Sequence, residues 1–286
     1  MNITRETKIH NLATFKLKSR SLRMTKQKSI KGLFIYLLIG IIALFLSILF
    51  ALSTNPNQLE QLSEMTEFSG PPEMLALLAV MPNFVLFIIF LVIGFFIAHK
   101  VSLKSVMIHP HAREKPKSEW IKGIKLAIIL GLTATVVVRG FDYLFRPFLP
   151  DGLVELIRPY SALEFTTALL YGGIFEELLM RFGLMSLLVF IFWKLFDRKS
   201  AKPSNWVFIV AIFISALLFA LGHYGITASN IEMTPFIWFR MILLNGLPGL
   251  FFGWIYWKHN LELAMLAHMF AHISMNILML ISSLFM

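Results

Sequence analysis

The sequence predicts an all-α fold, a polytopic membrane helix bundle of seven to eight transmembrane helices. Of the 286 residues, 57% are hydrophobic and only 15% are charged, whereas soluble domains are about a quarter charged. Long stretches contain no charged side chain at all, and the longest covers residues 203–231. About 20 apolar residues span the hydrocarbon core of a bilayer. The composition therefore excludes soluble enzymes, secreted disulfide scaffolds and coiled coils.

Seven apolar stretches are candidate membrane spans. They are Gly32–Ser53, Met74–Ala98, Ile121–Leu144, Leu163–Trp193, Trp206–Leu221, Phe236–Trp257 and Leu261–Leu284. The fourth stretch is too long for one straight helix, and Gly172, Gly173 and Gly183 are points where it would break. An eighth, shorter helix is therefore the alternative to seven simple crossings.

Positive charge is concentrated near the N-terminus. The first 31 residues hold nine Lys or Arg against Glu6 alone, directly before the first apolar stretch. In that position a basic segment is better explained as a cytoplasmic tail near anionic lipid than as a nucleic-acid-binding segment. It is also too long to be the start of a cleaved signal peptide. We expect a multi-pass cell membrane protein, in the bacterial cytoplasmic membrane, with a cytoplasmic N-terminus and no nucleic acid partner.

The fourth span contains ionisable residues that are costly at membrane depth and are therefore candidates for function. Glu177 and Arg181 are four residues apart and face each other on a helix. Glu176 is rotated by about 100° from Glu177 and points elsewhere unless the helix is distorted. A buried ion pair that only joins helices explains one Glu and the Arg. The second carboxylate is what a site with a general base requires.

Polar residues also lie on later spans. His223 ends the fifth span, where a single His is often only an interfacial residue. His268, His272 and Asn276 follow one another at intervals of four and form a stripe on one helix face. The alternative to catalysis is that this stripe hydrogen-bonds between helices and holds them together. Arg139 and Asp142, three residues apart, are interpreted as a structural pair.

Motifs that are absent narrow the chemistry further. The chain has no cysteine, and so no thiolate nucleophile or thiolate metal site. It has neither HExxH, which zinc proteases carry, nor GxSxG, which serine hydrolases carry. The remaining residues suit a Glu–His pair that activates water, with His or Asn donors for an oxyanion. This combination points to amide hydrolysis within the membrane.

Three short motifs in chain order resemble the Abi, CAAX protease and bacteriocin-processing (CPBP) family. They are Glu176-Glu177-x-x-x-Arg181, Phe219-x-x-x-His223 and His268-x-x-x-His272, together with the stretch from Gly253 to His268. The resemblance covers roughly residues 160–280. It implies a bundle of about eight helices around a water-filled cavity. We accordingly divide the chain into a basic tail (1–31), N-terminal transmembrane helices (32–159) and a catalytic membrane core (160–286).

The resemblance also implies roles for individual residues. Glu176 and His223 would activate water, Glu177 and Arg181 would support them, and His268 with its partner would stabilise the oxyanion. That partner is usually Asn or Asp in the family, and His272 stands there in this chain. The register His272-x-x-x-Asn276 fits the motif too, although the residues before His268 match the family better. No cofactor is certain, and a divalent metal such as zinc stays open, with Glu176, His223 and His268 as candidate ligands.

The leading hypothesis is an intramembrane endopeptidase that cleaves a lipidated or hydrophobic peptide or a membrane-protein segment. The alternatives are a non-catalytic immunity or scaffold protein and a proton-coupled transporter.

One difficulty for a shared site is the depth of its residues in the membrane. Seven simple crossings would place His223 near the outer boundary and His268 about 10 Å from the inner one. A shared site would then need tilted or broken helices, or the eighth helix.

Overall fold

A computed structural model describes residues 28–54, 60, 62–64, 66–114, 116–149 and 158–284. The predicted basic tail lies outside these residues as far as residue 27. In the described ranges the chain forms helices and no strands. Seven of the helices are long and apolar enough to cross a membrane, which confirms the predicted multi-pass helix bundle.

Eight helices carry the architecture of the described residues. They are α1 (Ile30–Thr54), α2 (Pro72–Ile97), α3 (Lys117–Phe145), α4 (Ala162–Phe196), α5 (Asn205–Leu221), α6 (Tyr224–Ala228), α7 (Pro235–Lys258) and α8 (Leu261–Ser283). Helix α6 has only five residues, far fewer than a crossing needs. The eighth helix of the described residues is therefore a short helix after α5, and the fourth stretch, where the sequence left an eighth helix open, is a single span.

Helix α4 is continuous, so the predicted break at its glycines is wrong. The segments Ala168–Glu176 and Leu178–Met185 are wound as π-helix instead. A break within the bilayer would leave backbone groups without partners, whereas a π-helix keeps its hydrogen bonds. The glycines serve close helix contacts: a Cβ on Gly173 would lie 2.3 Å from Met269 Cγ on α8, and one on Gly183 would lie 2.2 Å from Phe90 Cβ on α2.

Helix α8 runs through the interior of the bundle. It packs against α3, α7 and the π-helical part of α4, while α7 packs closely on α5. Many large apolar side chains on α1, α2 and α5 point outward, as expected of helices that face lipid. This arrangement places the polar stripe of α8 opposite the carboxylates of α4.

A buried carboxylate joins the beginnings of α1 and α8. Glu262 Oε1 accepts hydrogen bonds from Tyr36 Oη at 2.6 Å, Ser105 Oγ at 2.7 Å and the Met107 backbone N–H at 3.0 Å. The Leu261 N–H also donates to the carbonyl of Lys104 at 3.0 Å. The first turns of α1 and α8 and the segment between α2 and α3 therefore meet at the same end of the bundle.

We predict that Tyr36→Phe lowers the free energy of unfolding by about 1–3 kcal/mol. The substitution removes one donor from a buried carboxylate, and hydrogen bonds to charged groups are worth about that much. Thermal unfolding in detergent measures the change. Tyr224→Phe, on an exposed side chain, is the matched control. Equal melting temperatures for the two variants would contradict a stabilising role of the Glu262 junction.

Candidate active site

A cavity of about 460 Å³ lies between α3, α4, α5, α7 and α8. Four of the residues that the sequence predicts to be catalytic line it: Glu176, His223, His268 and His272. Its other polar lining residues are Arg139, Asp142, Tyr160, Thr167, Tyr171, Arg240 and Asn245. Four predicted residues from three segments of the chain therefore share one space within an otherwise apolar bundle.

Glu177 lies behind the cavity wall and is fully buried. Its Oε1 atom lies 3.2 Å from Arg181 Nη1 and accepts a hydrogen bond from His268 Nδ1 at 2.9 Å. The i,i+4 pair that the spacing predicts is therefore formed, and it is connected to α8 through His268. Glu177 thus fixes the orientation of the His268 ring and leaves its other nitrogen, Nε2, for other partners.

Arg181 is also fully buried, and several helices surround it. Its guanidinium lies 4.7 Å from the centre of the Phe219 ring on α5 and 5.6 Å from that of Phe252 on α7. Nη2 donates to the carbonyl of Gly249 at 3.1 Å. Arg181 is therefore a support of the site and not part of the cavity lining.

The two adjacent carboxylates of α4 point to different places. Glu176 is half-buried and lines the cavity, whereas Glu177 is inaccessible to solvent. They flank the junction of the two π-helical segments. One carboxylate is thereby used for support, and the other is available to a substrate or a water molecule.

His223 lies in the turn between α5 and α6. Its Nδ1 atom is 2.9 Å from the carbonyl oxygen of Phe219 and donates to it, so Nε2 is the nitrogen left for chemistry. His223 and His268, which seven simple crossings would place at different depths, both line the cavity. Helix α5 has 17 residues, about 25 Å, and is shorter than the hydrocarbon core of about 30 Å. The turn that carries His223 therefore need not reach the far boundary.

The stripe on α8 divides into two parts. The rings of His268 and His272 stack with their centres 5.0 Å apart, and both line the cavity. Neither ring nitrogen of His272 has a hydrogen-bond partner among the described residues. A Cβ on Gly172 would lie 2.5 Å from His272 Nε2. The glycine therefore provides the space that the imidazole occupies.

Asn276, the third residue of the stripe, is not among the cavity-lining residues. Its Oδ1 atom accepts a hydrogen bond from the Tyr160 N–H at 2.8 Å. The next residue, Ser161, begins α4 with a capping box, in which Ser161 and Glu164 exchange hydrogen bonds. Asn276 thus ties the entry of α4 to α8, and this geometry favours the His268/His272 register.

No group of three His, Cys, Asp or Glu side chains in the described ranges is arranged to hold a metal ion. Glu177 contacts His268 at Nδ1, which leaves the Nε2 atom of His268 for another partner. A metal site formed by Glu176, His223 and His268 stays a prediction.

Three charged cavity residues, Arg139, Asp142 and Arg240, were not predicted to be functional. Arg139 and Asp142 were interpreted as a structural pair, and their ion pair of 3.3 Å is present, yet both line the cavity. Arg240 on α7 also pairs with Asp142. A charged residue within the sixth span is the sequence signal that could have identified Arg240 as a candidate.

Tyr160 lines the cavity near this cluster. Burial raises the pKa of its hydroxyl, while the positive charge of Arg139 opposes the increase.

The three motifs that contribute these residues were compared with models of known protein families. Residues 158–274 match the family model for type II CAAX prenyl endopeptidases of the Rce1-like kind. The match confirms the resemblance drawn from the three motifs and contains all three of them. No curated protein and no solved structure gave a significant match. The matched residues include α4 to α7 and the first half of α8.

We predict that Arg181→Ala lowers the free energy of unfolding by about 3–5 kcal/mol. The substitution leaves the buried carboxylate of Glu177 without its cation, and uncompensated buried charges cost about that much. Thermal unfolding and the yield of folded protein in detergent measure the loss. Arg146→Ala, at an exposed residue, is the control. An Arg181→Ala protein as stable as the control but inactive would instead show that Arg181 acts on the substrate.

Proposed function

We propose that the protein is an intramembrane endopeptidase that uses water activated by Glu176 and His223. Its substrate is a lipidated or hydrophobic peptide, or a segment of a membrane protein. The observation that carries the proposal is the placement of Glu176, His223, His268 and His272 around one cavity inside a bundle of membrane helices. The match to CAAX proteases supports the same reaction class.

The first step is general base catalysis. The Glu176 carboxylate takes a proton from a water molecule as the water oxygen attacks the carbonyl carbon of the scissile amide. His223 accepts a hydrogen bond from the same water through Nε2, since Nδ1 is directed at Phe219. The protonated Glu176 then gives its proton to the leaving amine, which completes hydrolysis of the bond.

The second element is stabilisation of the oxyanion by α8. Glu177 contacts His268 at Nδ1, so Nε2 is the nitrogen of this ring that is available to the carbonyl oxygen. His272, whose ring nitrogens have no partner among the described residues, supplies a second donor.

We predict that Glu176→Gln and His223→Ala each reduce hydrolysis by at least about 10²-fold. The loss is what general acid–base groups usually contribute. The measurement is cleavage of a hydrophobic peptide library by purified protein in liposomes, analysed by mass spectrometry. Glu73→Gln, on an exposed residue at the start of α2, is the matched control.

Two outcomes would contradict this mechanism. Near-full activity of a folded Glu176→Gln protein would remove the proposed base. Activity that is lost after treatment with EDTA and restored by zinc would assign Glu176 and His223 to a metal site. Absence of any cleavage by the wild-type protein would favour a non-catalytic role.

We predict that the residues of the α8 stripe differ in their effects on activity. His268→Ala is expected to lose about 10²–10³-fold, the usual effect of removing one oxyanion donor. Asn276→Ala is expected to keep most of the specific activity while the protein becomes less stable, because Asn276 holds the entry of α4. The peptide assay and thermal unfolding separate the two effects.

Gly172→Ala tests the position of His272 without changing its chemistry. The added methyl group displaces the imidazole, so kcat is expected to fall. Gly140→Ala is the control, since no atom outside its own helix backbone lies within 4 Å of the Cβ it would carry.

Two outcomes would contradict the proposed roles of the α8 stripe. If Asn276→Ala were inactive and His268→Ala active, the motif would lie one turn further along. If His268→Ala and Asn276→Ala lowered the yield of folded protein equally and left the specific activity unchanged, the stripe would serve only helix packing.

A further inference from the structure

A second polar cluster lies in the wall of the same cavity and has no role in the proposed reaction. Arg139 and Asp142 on α3 form an ion pair of 3.3 Å, and Arg240 on α7 pairs with the other oxygen of the same carboxylate. The side chains of the two arginines are 15% and 16% exposed. All three residues line the cavity.

The charges of this cluster do not balance. Two guanidinium groups share one carboxylate, and Asp142 is the only acidic residue that pairs with either of them in the described part of the chain. The Nε atoms of Arg139 and Arg240 are buried and have no hydrogen-bond partner among the described residues. An excess cation within a membrane bundle is costly and usually marks a binding site. The cluster is therefore one negative charge short of neutrality.

We propose that Arg139 and Arg240 form a subsite that binds one carboxylate of the substrate. The inference rests on the proposed function and specifies its substrate as a hydrophobic peptide with a negative charge at a fixed distance from the scissile bond. A guanidinium binds a carboxylate through two parallel hydrogen bonds. A single carboxylate also supplies the one charge that the cluster lacks.

The position of the cluster agrees with such a subsite. Arg139 is near the end of α3 and Arg240 near the beginning of α7, so the two residues lie towards one end of the bundle. His268 belongs to the second turn of α8 and lies deeper in the same cavity. A peptide that places a carboxylate on the arginines can extend from there towards Glu176. The carboxylate can be the free C-terminus of the peptide or an acidic side chain.

The test measures the binding of four dansyl-labelled Leu/Ala peptides of equal length to the Glu176→Gln variant, in which the substitution prevents cleavage. One peptide ends in a free carboxylate and the second in an amide. The third and fourth also end in an amide and carry Asp or Asn at the central position. We expect at least one carboxylate form to bind about tenfold or more tightly than its neutral counterpart, the effect of a charge-assisted hydrogen bond. The acid–amide pair and the Asp–Asn pair identify the source of the carboxylate.

Charge variants then locate the subsite. Arg240→Gln leaves one guanidinium and one carboxylate, so the ratio of dissociation constants is expected to fall towards one. Asp142→Asn leaves two unpaired guanidinium groups and is expected to increase the ratio. Lys122→Gln, on an exposed residue of α3, is the control and keeps the wild-type ratio. A ratio compares two peptides on the same protein, so partial loss of folded material does not change it.

The remaining outcomes overturn the proposal. Equal affinity for charged and neutral peptides removes the subsite, while cleavage of neutral peptides by the wild-type protein would still support the proposed function. A preference that Arg240→Gln does not alter places the carboxylate elsewhere. Competition by short-chain phosphatidylglycerol, with no preference for either carboxylate, assigns the arginines to a lipid phosphate.

Discussion

The buried contact between Glu177, Arg181 and His268 is the constraint on which the site depends. A guanidinium excluded from water needs a counterion and hydrogen-bond acceptors. For Arg181 the counterion is Glu177 on the same helix, and the acceptor is the Gly249 carbonyl on α7. The faces of Phe219 and Phe252 complete its surroundings. Because Glu177 also holds His268, one ion pair determines how α4, α5, α7 and α8 approach each other.

This constraint separates the roles of two adjacent acidic residues. Glu177 is used for support, and its burial leaves it inaccessible, whereas Glu176 reaches the cavity. The π-helical winding on either side of them changes the angle between successive side chains relative to an α-helix. π-Helical turns are frequent at functional sites, and here they occur where the proposed base, Glu176, and the buried Glu177 are neighbours in sequence.

Much of the fold follows from local sequence patterns. The apolar runs predict the seven spans, and the four-residue intervals predict the Glu177–Arg181 pair and the shared face of His268 and His272, because both depend on helix geometry alone. The glycines of α4 misled the sequence-based prediction. The sequence shows that a side chain is absent, but the contact with Met269 that makes this absence necessary comes from a distant helix.

Some contacts of the predicted residues depend on parts of the chain that are distant in sequence. Asn276 continues the stripe of α8, yet its partner is the Tyr160 N–H, 116 residues earlier. In the local sequence Arg139 and Asp142 form a pair with balanced charges. Arg240, 98 positions after Asp142, adds a second positive charge to this pair. No spacing rule connects such positions, so the charge of the cluster becomes visible only when α3 and α7 lie side by side.

The Glu262 junction gives the molecule a defined sidedness. It joins the first turns of α1 and α8 at one end of the bundle, whereas Arg139 near the end of α3 and Arg240 near the start of α7 lie towards the other. The arginine pair and the Glu262 junction therefore lie towards opposite ends of the bundle. A substitution at the junction consequently changes how the helices are held together without altering the charge balance of the arginine pair.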